Sequence, residues 1–402
     1  MAGPGSESSQ IPIESLSMEG KKLLHSIRLR NLLSYGRKVV RLDLAPLNVL
    51  IGPNASGKSN LIDAIGLLAA APRNLLTPFR EGGAVEDWVW KGAGSDGWAK
   101  IGVDLEYPRK RETLKLSYEL TVASAKLRLL VSEEALISSE GPLFLRDSST
   151  GAKLIVGSSF LRPEIDPQQS VLAQFRDPAN YPQLTYVGDQ FGKITIFRGW
   201  PLGRDTHLTR PQRADLPDDY LLPDGSNLGL VVNDLQNRKT TKRLLLEKLR
   251  LLYDGVEDIT TKVQGNTIQI FFHEEGLAKP VPASRLSDGT LHYLCLLMVL
   301  LHPEPPPLIC LEEPELGLHP DIIPKVADLL LDAAQRTQLI VTTHSETLVS
   351  RLSEVPESVV VCERDDRGTH LRRLEPEKLR AWLDKYMLGE LWRMGEIGAN
   401  RW

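Results

Sequence analysis

The amino-acid sequence predicts an α/β fold: a parallel-sheet head that carries a β-subdomain and a helical insertion. Three stretches predict it. LNVLI at 47–51 is an apolar run of strand length, and a glycine-bounded turn leads from it into Leu61, Ile62, Ile65 and Leu68 at helical spacing. LICL at 308–311 is a second apolar run, followed directly by two glutamates. LIV at 339–341 is a third, ending in Thr342, Thr343, His344 and Ser345. Strands apolar at every position are those covered on both faces, as in a parallel sheet.

The first stretch matches the pattern G-x-x-x-x-G-K-[ST] in the strand–loop–helix context that the pattern requires. Gly52, Pro53, Asn54, Ala55, Ser56, Gly57, Lys58, Ser59 and Asn60 are therefore expected around a nucleotide. Gly52 and Gly57 permit backbone angles that a side chain would forbid. The loop N–H groups and the helix start then face an anion, Lys58 reaches the β- and γ-phosphates, and the Ser59 hydroxyl meets Mg²⁺. After the second strand, Glu312 is expected as the metal-side acid and Glu313 as the general base. After the third, His344 is placed to donate to the γ-phosphate. A fourth piece, RLSDGTLHYLCLLMVLL at 285–301, sets Ser287, Asp288 and Gly289 before an apolar helix, a second anion-seeking helix start. One nucleotide can meet both starts only if two chains face each other.

These four elements in this order resemble an ABC-type ATPase. LSDGT resembles the signature motif, LEEPELGLHP the Walker B and D-loop region, and TTHS the switch histidine. The opening LHSIRLRNLLSYGRKVVRLDLAPLNVLIGPNASGKSNLIDAI resembles the start of the RecF, SMC and OLD-like branch, often filed as AAA-type ATPases. The resemblance implies ATP and Mg²⁺ as ligands. It also implies a head-to-tail homodimer in which Lys58 and Ser59 of one subunit share each ATP with Ser287 and Gly289 of the other. OLD-type proteins continue into a nuclease domain, for which the residues after His344 leave no room. The chain departs from the family twice. The metal-side acid is Glu312 where Asp is usual, and no glutamine lies between Gln10 and Gln168 to serve as the lid glutamine. Glu81, Glu86 or Asp87 in EGGAVEDWVWKG stand as alternatives for it.

The remaining chain divides as a tail at 1–20, the head at 21–75 and 281–402, and the insertion at 76–280. In the insertion, AKIGVDLEY, TLKLSYELTV and KLRLLVS suggest antiparallel strands broken by YPRKRE. Residues 167–222, rich in Pro, Asp and Gly, read as loops with short elements. Residues 228–253 read as helical, and ITTKVQGNTIQIFFHEE as a hairpin about Gly265. Near the end, VVVCERDDRGTHLRRL reads as another hairpin and LRAWLDKYMLGELWRM as a helix. No heptad pattern long enough for a coiled coil occurs.

Composition narrows the function. With 402 residues, 42% hydrophobic and 25% charged, the chain has the make-up of a globular protein of more than one domain. A net charge of −4 offers nucleic acid no general attraction, so DNA would have to be met by local clusters. Arg109, Lys110 and Arg111 form one such cluster, and Arg238, Lys239, Lys242 and Arg243 another; a solvated face is the alternative for both. Cys295, Cys310 and Cys362 lack ligand spacing and suit the core of a reduced, cytoplasmic protein. The apolar run at 293–301 is too short to span a bilayer. Trp392 and Trp402 are candidates for anchoring a partner, with core packing the alternative for Trp392. The sequence thus points to an ATP-hydrolysing switch in DNA maintenance or in defence against foreign DNA, working with an effector protein. The competing reading is a nucleotide-sensing scaffold that hydrolyses little and restrains an effector.

Overall fold

The apolar runs become the middle of a six-stranded sheet. The computed structural model describes residues 20–93, 96–110, 112–156 and 159–398. Strands β3 (Leu47–Ile51), β15 (Leu308–Glu312), β16 (Gln338–Thr342) and β17 (Val359–Asp365) run parallel, and β10 (Thr195–Phe197) joins them beside β15. The order is β10-β15-β16-β3-β17-β18, with β18 (Gly368–Arg373) closing the edge as the antiparallel arm of a hairpin.

Alternate residues of these strands feed two cores. Val49, Ile51, Ile309, Leu311, Leu339, Val341 and Val361 face one side. There they meet α8 (Asp288–Leu300), α9 (Ile323–Ala334), α10 (Glu346–Arg351) and α12 (Leu388–Met394). Leu50, Leu308, Cys310, Ile340, Val360 and Cys362 face the other, against α1 (Lys58–Ala70) and α5 (Pro182–Gly192). Burial on both faces is why these strands are apolar at consecutive positions rather than alternate ones, with buried Asn48 and Gln338 as polar exceptions. It also explains α8, where Leu291 through Leu300 are all buried: a helix apolar on every side must be enclosed.

Under α1 lies an eight-stranded antiparallel sheet in the order β2-β1-β4-β5-β6-β7-β8-β9. Its strands are β1 (Leu24–Arg30), β2 (Val40–Asp43), β4 (Trp98–Pro108), β5 (Thr113–Ala125), β6 (Arg128–Ser138), β7 (Gly141–Asp147), β8 (Gly151–Val156) and β9 (Ser159–Leu161). Short helices α2 (Leu76–Glu81), α3 (Val85–Trp88) and α4 (Val171–Gln174) border it. A third, smaller sheet joins β11 (Gln212–Arg213), β12 (Val256–Gln264), β13 (Thr267–Glu274) and β14 (Val281–Pro282). Helices α6 (Leu228–Asn237) and α7 (Lys239–Arg250) lead into β12.

The antiparallel strands, both hairpins and the helical 228–253 region form where the sequence expects them, with a break at Arg238, whose ψ of 99° is extended. Other expectations give way. Sheet membership crosses the 76–280 segment: β1 and β2 lie in the antiparallel sheet, while β10 lies in the central one. The 167–222 stretch does hold loops with short elements, the longest being α5, of which Leu184, Val187 and Phe191 bury one stripe. The single terminal helix is two, α11 (Pro376–Leu383) and α12. Met387 is extended between them, and its N–H donates to Glu390 Oε2 at 2.8 Å. Gly389 lets α12 approach closely after the break, because a Cβ there would come within 2.2 Å of Glu346 O on α10. The chain turns so that α12 can press onto α10. Trp392 is buried and belongs to this core. Arg111, Trp402 and the tail at 1–19 lie outside the described residues.

One buried side chain ties the two large sheets together. Gln338 Oε1 accepts from Leu23 N at 3.1 Å and Leu24 N at 2.9 Å, and its Nε2 donates to Leu24 O at 2.8 Å and Ala45 O at 3.1 Å. Gln338 has no exposed surface. Gln338→Ala leaves these backbone groups unpaired in a closed interior and should cost about 3 kcal/mol. Urea unfolding followed by circular dichroism measures it; a loss below about 1 kcal/mol would mean that β1 is held without this tie.

Candidate functional site

The site forms where β3, β15 and β16 end together. Leu50 pairs with Thr342 and Thr342 with Glu312, so the three loops leave the sheet at one level. Residues 52–57 turn from β3 into α1. Gly57 has φ 104°, and a Cβ on it would lie 2.4 Å from Thr369 Oγ1 and 2.7 Å from Ser34 Oγ. A Cβ on Gly52 would lie 2.3 Å from Cys362 O. The loop is therefore pressed between the 31–36 turn and the β17–β18 hairpin, and only glycine fits at both positions. Tyr35 Oη donates to Gly57 O at 3.0 Å, and Thr369 Oγ1 donates to Ser56 O at 2.9 Å. Asn54 and Ala55 are exposed at the loop crest, Ala55 in the left-handed region with φ 62°.

Lys58 is buried at the first turn of α1. Its Nζ donates to Gly52 O at 2.8 Å and Pro53 O at 3.0 Å, which fixes the ammonium over the loop. Ser56 Oγ is buried with no hydrogen-bond partner. A glycine-only cradle, an orphaned hydroxyl and a held ammonium are the fittings of a phosphate site. Ser59 follows, exposed, and Asn60 is half-buried.

Across the loop stand the acids. Glu312 ends β15, and burial pushes its carboxyl above the usual range, with Asp63 and Glu313 adding to the push and Arg198 opposing it. Glu313 takes the left-handed conformation, φ 45°, held by its N–H to Thr342 O at 3.0 Å and Thr342 Oγ1 at 3.2 Å. A non-glycine residue there costs of order 1 kcal/mol, and such strain concentrates at functional residues. His344 Nε2 lies 3.7 Å from Glu313 Oε1. The structure thus brings Glu313 and His344, expected from the sequence as the base and the switch histidine, side by side.

Two further side chains escaped the sequence reading. Glu315 is buried; its Oε1 accepts from Thr343 Oγ1 at 2.6 Å and from His344 N at 2.9 Å, while Oε2 has no partner. It fixes the backbone that carries His344, and burial raises its pKa. Its position three residues after Glu312 in an acidic turn was the available signal. The other is Arg198, directly after β10, which contacts Glu312. The central-sheet strand that follows α1 is this one. Glu81, Glu86 and Asp87 instead belong to α2 and α3, where Glu86 accepts from Ser124 of β5 and Asp87 pairs with Lys91.

Ser287 caps α8, its Oγ accepting from Thr290 N at 3.1 Å. Asp288 Oδ1 accepts from Gly203 N at 2.8 Å, and a Cβ on Gly289 would come within 3.1 Å of Gly317 O. Ser287 and Asp288 are exposed, so this helix start faces outward beside the turn that carries Glu315 and Gly317.

A family described as "AAA domain, putative AbiEii toxin, Type IV TA system" matches residues 47–111 and 202–350, more than half of the chain. The chain belongs to this family. No curated protein matches it. Among solved structures it is similar to an Smc head bound to the C-winged helix domain of ScpA, with 14% identity, TM-score 0.57, and 89% of this chain and 99% of that one covered. An Smc head with an extended coiled coil, bound to the C-terminal domain of ScpA derived from Pyrococcus furiosus, gives 12% identity and TM-score 0.55 over 90% and 99%. An Smc head from Pyrococcus yayanosii gives 10% identity and TM-score 0.50 over the same shares. The fold is that of an ABC-type P-loop ATPase head of the SMC kind.

The basic clusters are partly engaged. Arg109 pairs with Glu140 at 2.6 Å, Arg238 with Asp234 at 3.0 Å and Lys242 with Asp258 at 2.8 Å. Lys239 and Arg243 are exposed on α7. The three cysteines are buried and unpaired with one another. No described helix is long and apolar enough to cross a membrane.

Lys58→Ala removes the cation of the phosphate loop and should weaken ATP binding about a hundredfold or more. Titration calorimetry on the parent and the variant decides it, and equal affinities would unseat the loop as the nucleotide site.

Proposed function

We propose that this chain is an ATP-hydrolysing switch that closes as a head-to-tail homodimer on two ATP molecules and drives an effector protein in DNA maintenance or in defence against foreign DNA. One observation carries the reading: the phosphate cradle, the strained Glu313 and the supported His344 converge at one edge of the central sheet, while Ser287–Gly289 face outward on a separate helix start. The family's description, which names a toxin of a type IV system, supports the defence arm. The Smc heads bound to parts of ScpA support an effector or adaptor docking on the head.

The chain's residues divide the work. Loop N–H groups and Lys58 hold the β- and γ-phosphates and disperse their charge. Glu313 accepts the proton of the attacking water, and His344, beside it, donates to a γ-phosphate oxygen as charge grows there. Ser59 and Glu312 offer a hydroxyl and a carboxylate oxygen, the hard donors Mg²⁺ prefers; with a nucleotide it needs only one or two protein ligands. No described cluster of three or more His, Cys, Asp or Glu suits a metal on its own. Mg²⁺ would supply charge neutralisation between the β- and γ-phosphates.

A second reading has an observation in its favour. Glu312 is already engaged by Arg198 at 2.7 Å, which suits a scaffold that binds nucleotide, turns it over slowly and restrains an effector. Turnover measured with and without DNA separates the two.

Glu313→Gln keeps shape and loses the proton acceptor, so ATP stays intact and the facing Ser287 and Gly289 stay engaged. This variant should form an ATP-dependent dimer that the parent forms only briefly, and adding Ser287→Arg should break it. Light scattering with and without ATP checks both. Assembly that ignores ATP, or that survives Ser287→Arg, would falsify the facing-heads mechanism.

DNA, in this proposal, meets α7. Arg238 and Lys242 are held by acids of their own chain, so Lys239 and Arg243 carry the contact. Replacing both with Ala should lower the slope of log affinity against log salt by roughly two, equally for all DNA sequences. An unaltered slope removes α7 as the contact.

A further inference from the structure

Arg198 joins three parts of the site. Its Nη1 lies 2.7 Å from Glu312 Oε1 at the end of β15, and its Nη2 lies 2.5 Å from Asp63 Oδ1 on α1. Asp63 sits one helical turn after Ser59, so the guanidinium bridges the two elements that offer oxygens to a metal. The chain then runs straight to α8. The Trp200 ring stands edge-on to His292 with centroids 5.2 Å apart, and Gly203 N donates to the Asp288 carboxylate. His292 Nε2 in turn lies 3.1 Å from Pro314 O, in the turn after Glu313. Residues 198–203 therefore connect the metal-side acid to the residue beside Ser287.

The chemistry of that carboxylate forces a choice. A guanidinium on Glu312 Oε1 and a divalent cation on the same group are like charges a few ångströms apart, and they repel. Both cannot hold the acid at full strength. The Arg198 side chain is 47% exposed and can move outward without opening the core.

We propose that Arg198 is a positioning residue that reports the metal–nucleotide state of the site to the signature helix: it clamps Glu312 to Asp63, releases Glu312 when that acid binds a metal, and transmits the release through residues 198–203 to Asp288 and His292. The proposal rests on the ATP-switch reading above and adds a coupling element to it. The consequence is an ordered exchange. With Arg198 on Glu312, segment 198–203 is anchored at both ends and the start of α8 is held against it. With Arg198 released, the segment keeps its Trp200 packing but loses its hold at the Glu312 end, and the outward face at Ser287 is free to adjust to a facing copy.

The experiment compares the parent, Arg198→Ala and Arg198→Lys as full chains. ATP binding is measured by calorimetry across Mg²⁺ concentrations and in EDTA, and amide exchange of residues 199–205 is followed by mass spectrometry. Without the competing cation, the ratio of ATP affinities with and without Mg²⁺ should rise about fivefold in Arg198→Ala. Arg198→Lys, which keeps the charge and loses the two-pronged contact, should show a smaller rise. In the parent, Mg²⁺ with ATP should speed exchange at 199–205, while ATP in EDTA should not; Arg198→Ala should show the fast exchange with no nucleotide at all. An unchanged or lower affinity ratio in Arg198→Ala, or a parent segment that exchanges alike under both conditions, overturns the proposal. A parent that binds no ATP overturns the underlying reading together with it, which a calorimetric trace in Mg²⁺ distinguishes at once.

Discussion

The register of three parallel strands is the constraint on which the site depends. Leu311 lies beside Val341 and Val341 beside Val49, and the next residues along carry the chemistry. Both faces of these strands are enclosed, so a slip of one residue would move every side chain to the opposite core and turn Asn48 away from its partners. Asn48 is buried, donates to Ala45 O at 2.7 Å and Leu339 O at 3.0 Å, and accepts from Arg373. That pairing exists in one register only. Hydrophobic burial supplies the energy, while Asn48 and Gln338 select the alignment that sets Lys58, Glu312, Glu313 and His344 at a common edge.

The edge is electrostatically crowded. Asp63, Glu312, Glu313 and Glu315 lie within one small region, and Lys58, Arg198 and His344 are the groups set among them. Burial and neighbouring acids raise Glu312, and Glu315 keeps one oxygen unpartnered. Such an arrangement is poor for stability and suited to a ligand that brings its own charge. The left-handed Glu313 fits the same pattern, since a conformation costing of order 1 kcal/mol persists only where the surroundings determine it. Here the Thr342 carbonyl and hydroxyl both accept from its N–H.

Much of this was legible in the sequence because it is local. LNVLI, LICLE and QLIVT announce buried strands by composition alone, and the loop, acids and histidine follow within a few residues. The Ser287 cap was legible for the same reason. What escaped is contact between distant segments. Strand β10 has three residues and lies in a stretch rich in proline, glycine and aspartate, so periodicity has too little length to register; KITIF, with its three consecutive β-branched residues and a phenylalanine, was the faint sign. Arg198 gains meaning only from β10 pairing with β15. The break between α11 and α12 was hidden likewise, because the close approach of Gly389 to α10 is tertiary.

The strength of the Arg198 contacts matters as much as their existence. The guanidinium is half-exposed, and the Glu312 and Asp63 side chains keep 18% and 27% of their surface. Pairs this open contribute on the order of 1 kcal/mol, less at high salt. A deeply buried pair would lock the site, since removing one partner from it costs several kcal/mol. A contact near 1 kcal/mol biases an equilibrium about fivefold, enough to favour one arrangement and weak enough for a bound triphosphate and its metal to reverse. The segment it governs is short and touches α8 at two points, the Trp200 ring against His292 and the Gly203 N–H on Asp288, so a shift of the segment is felt at the start of α8. In the coupling proposed here, a crowded acid edge, a cation of moderate hold and the six residues 198–203 leading to α8 join nucleotide state and head geometry in one equilibrium.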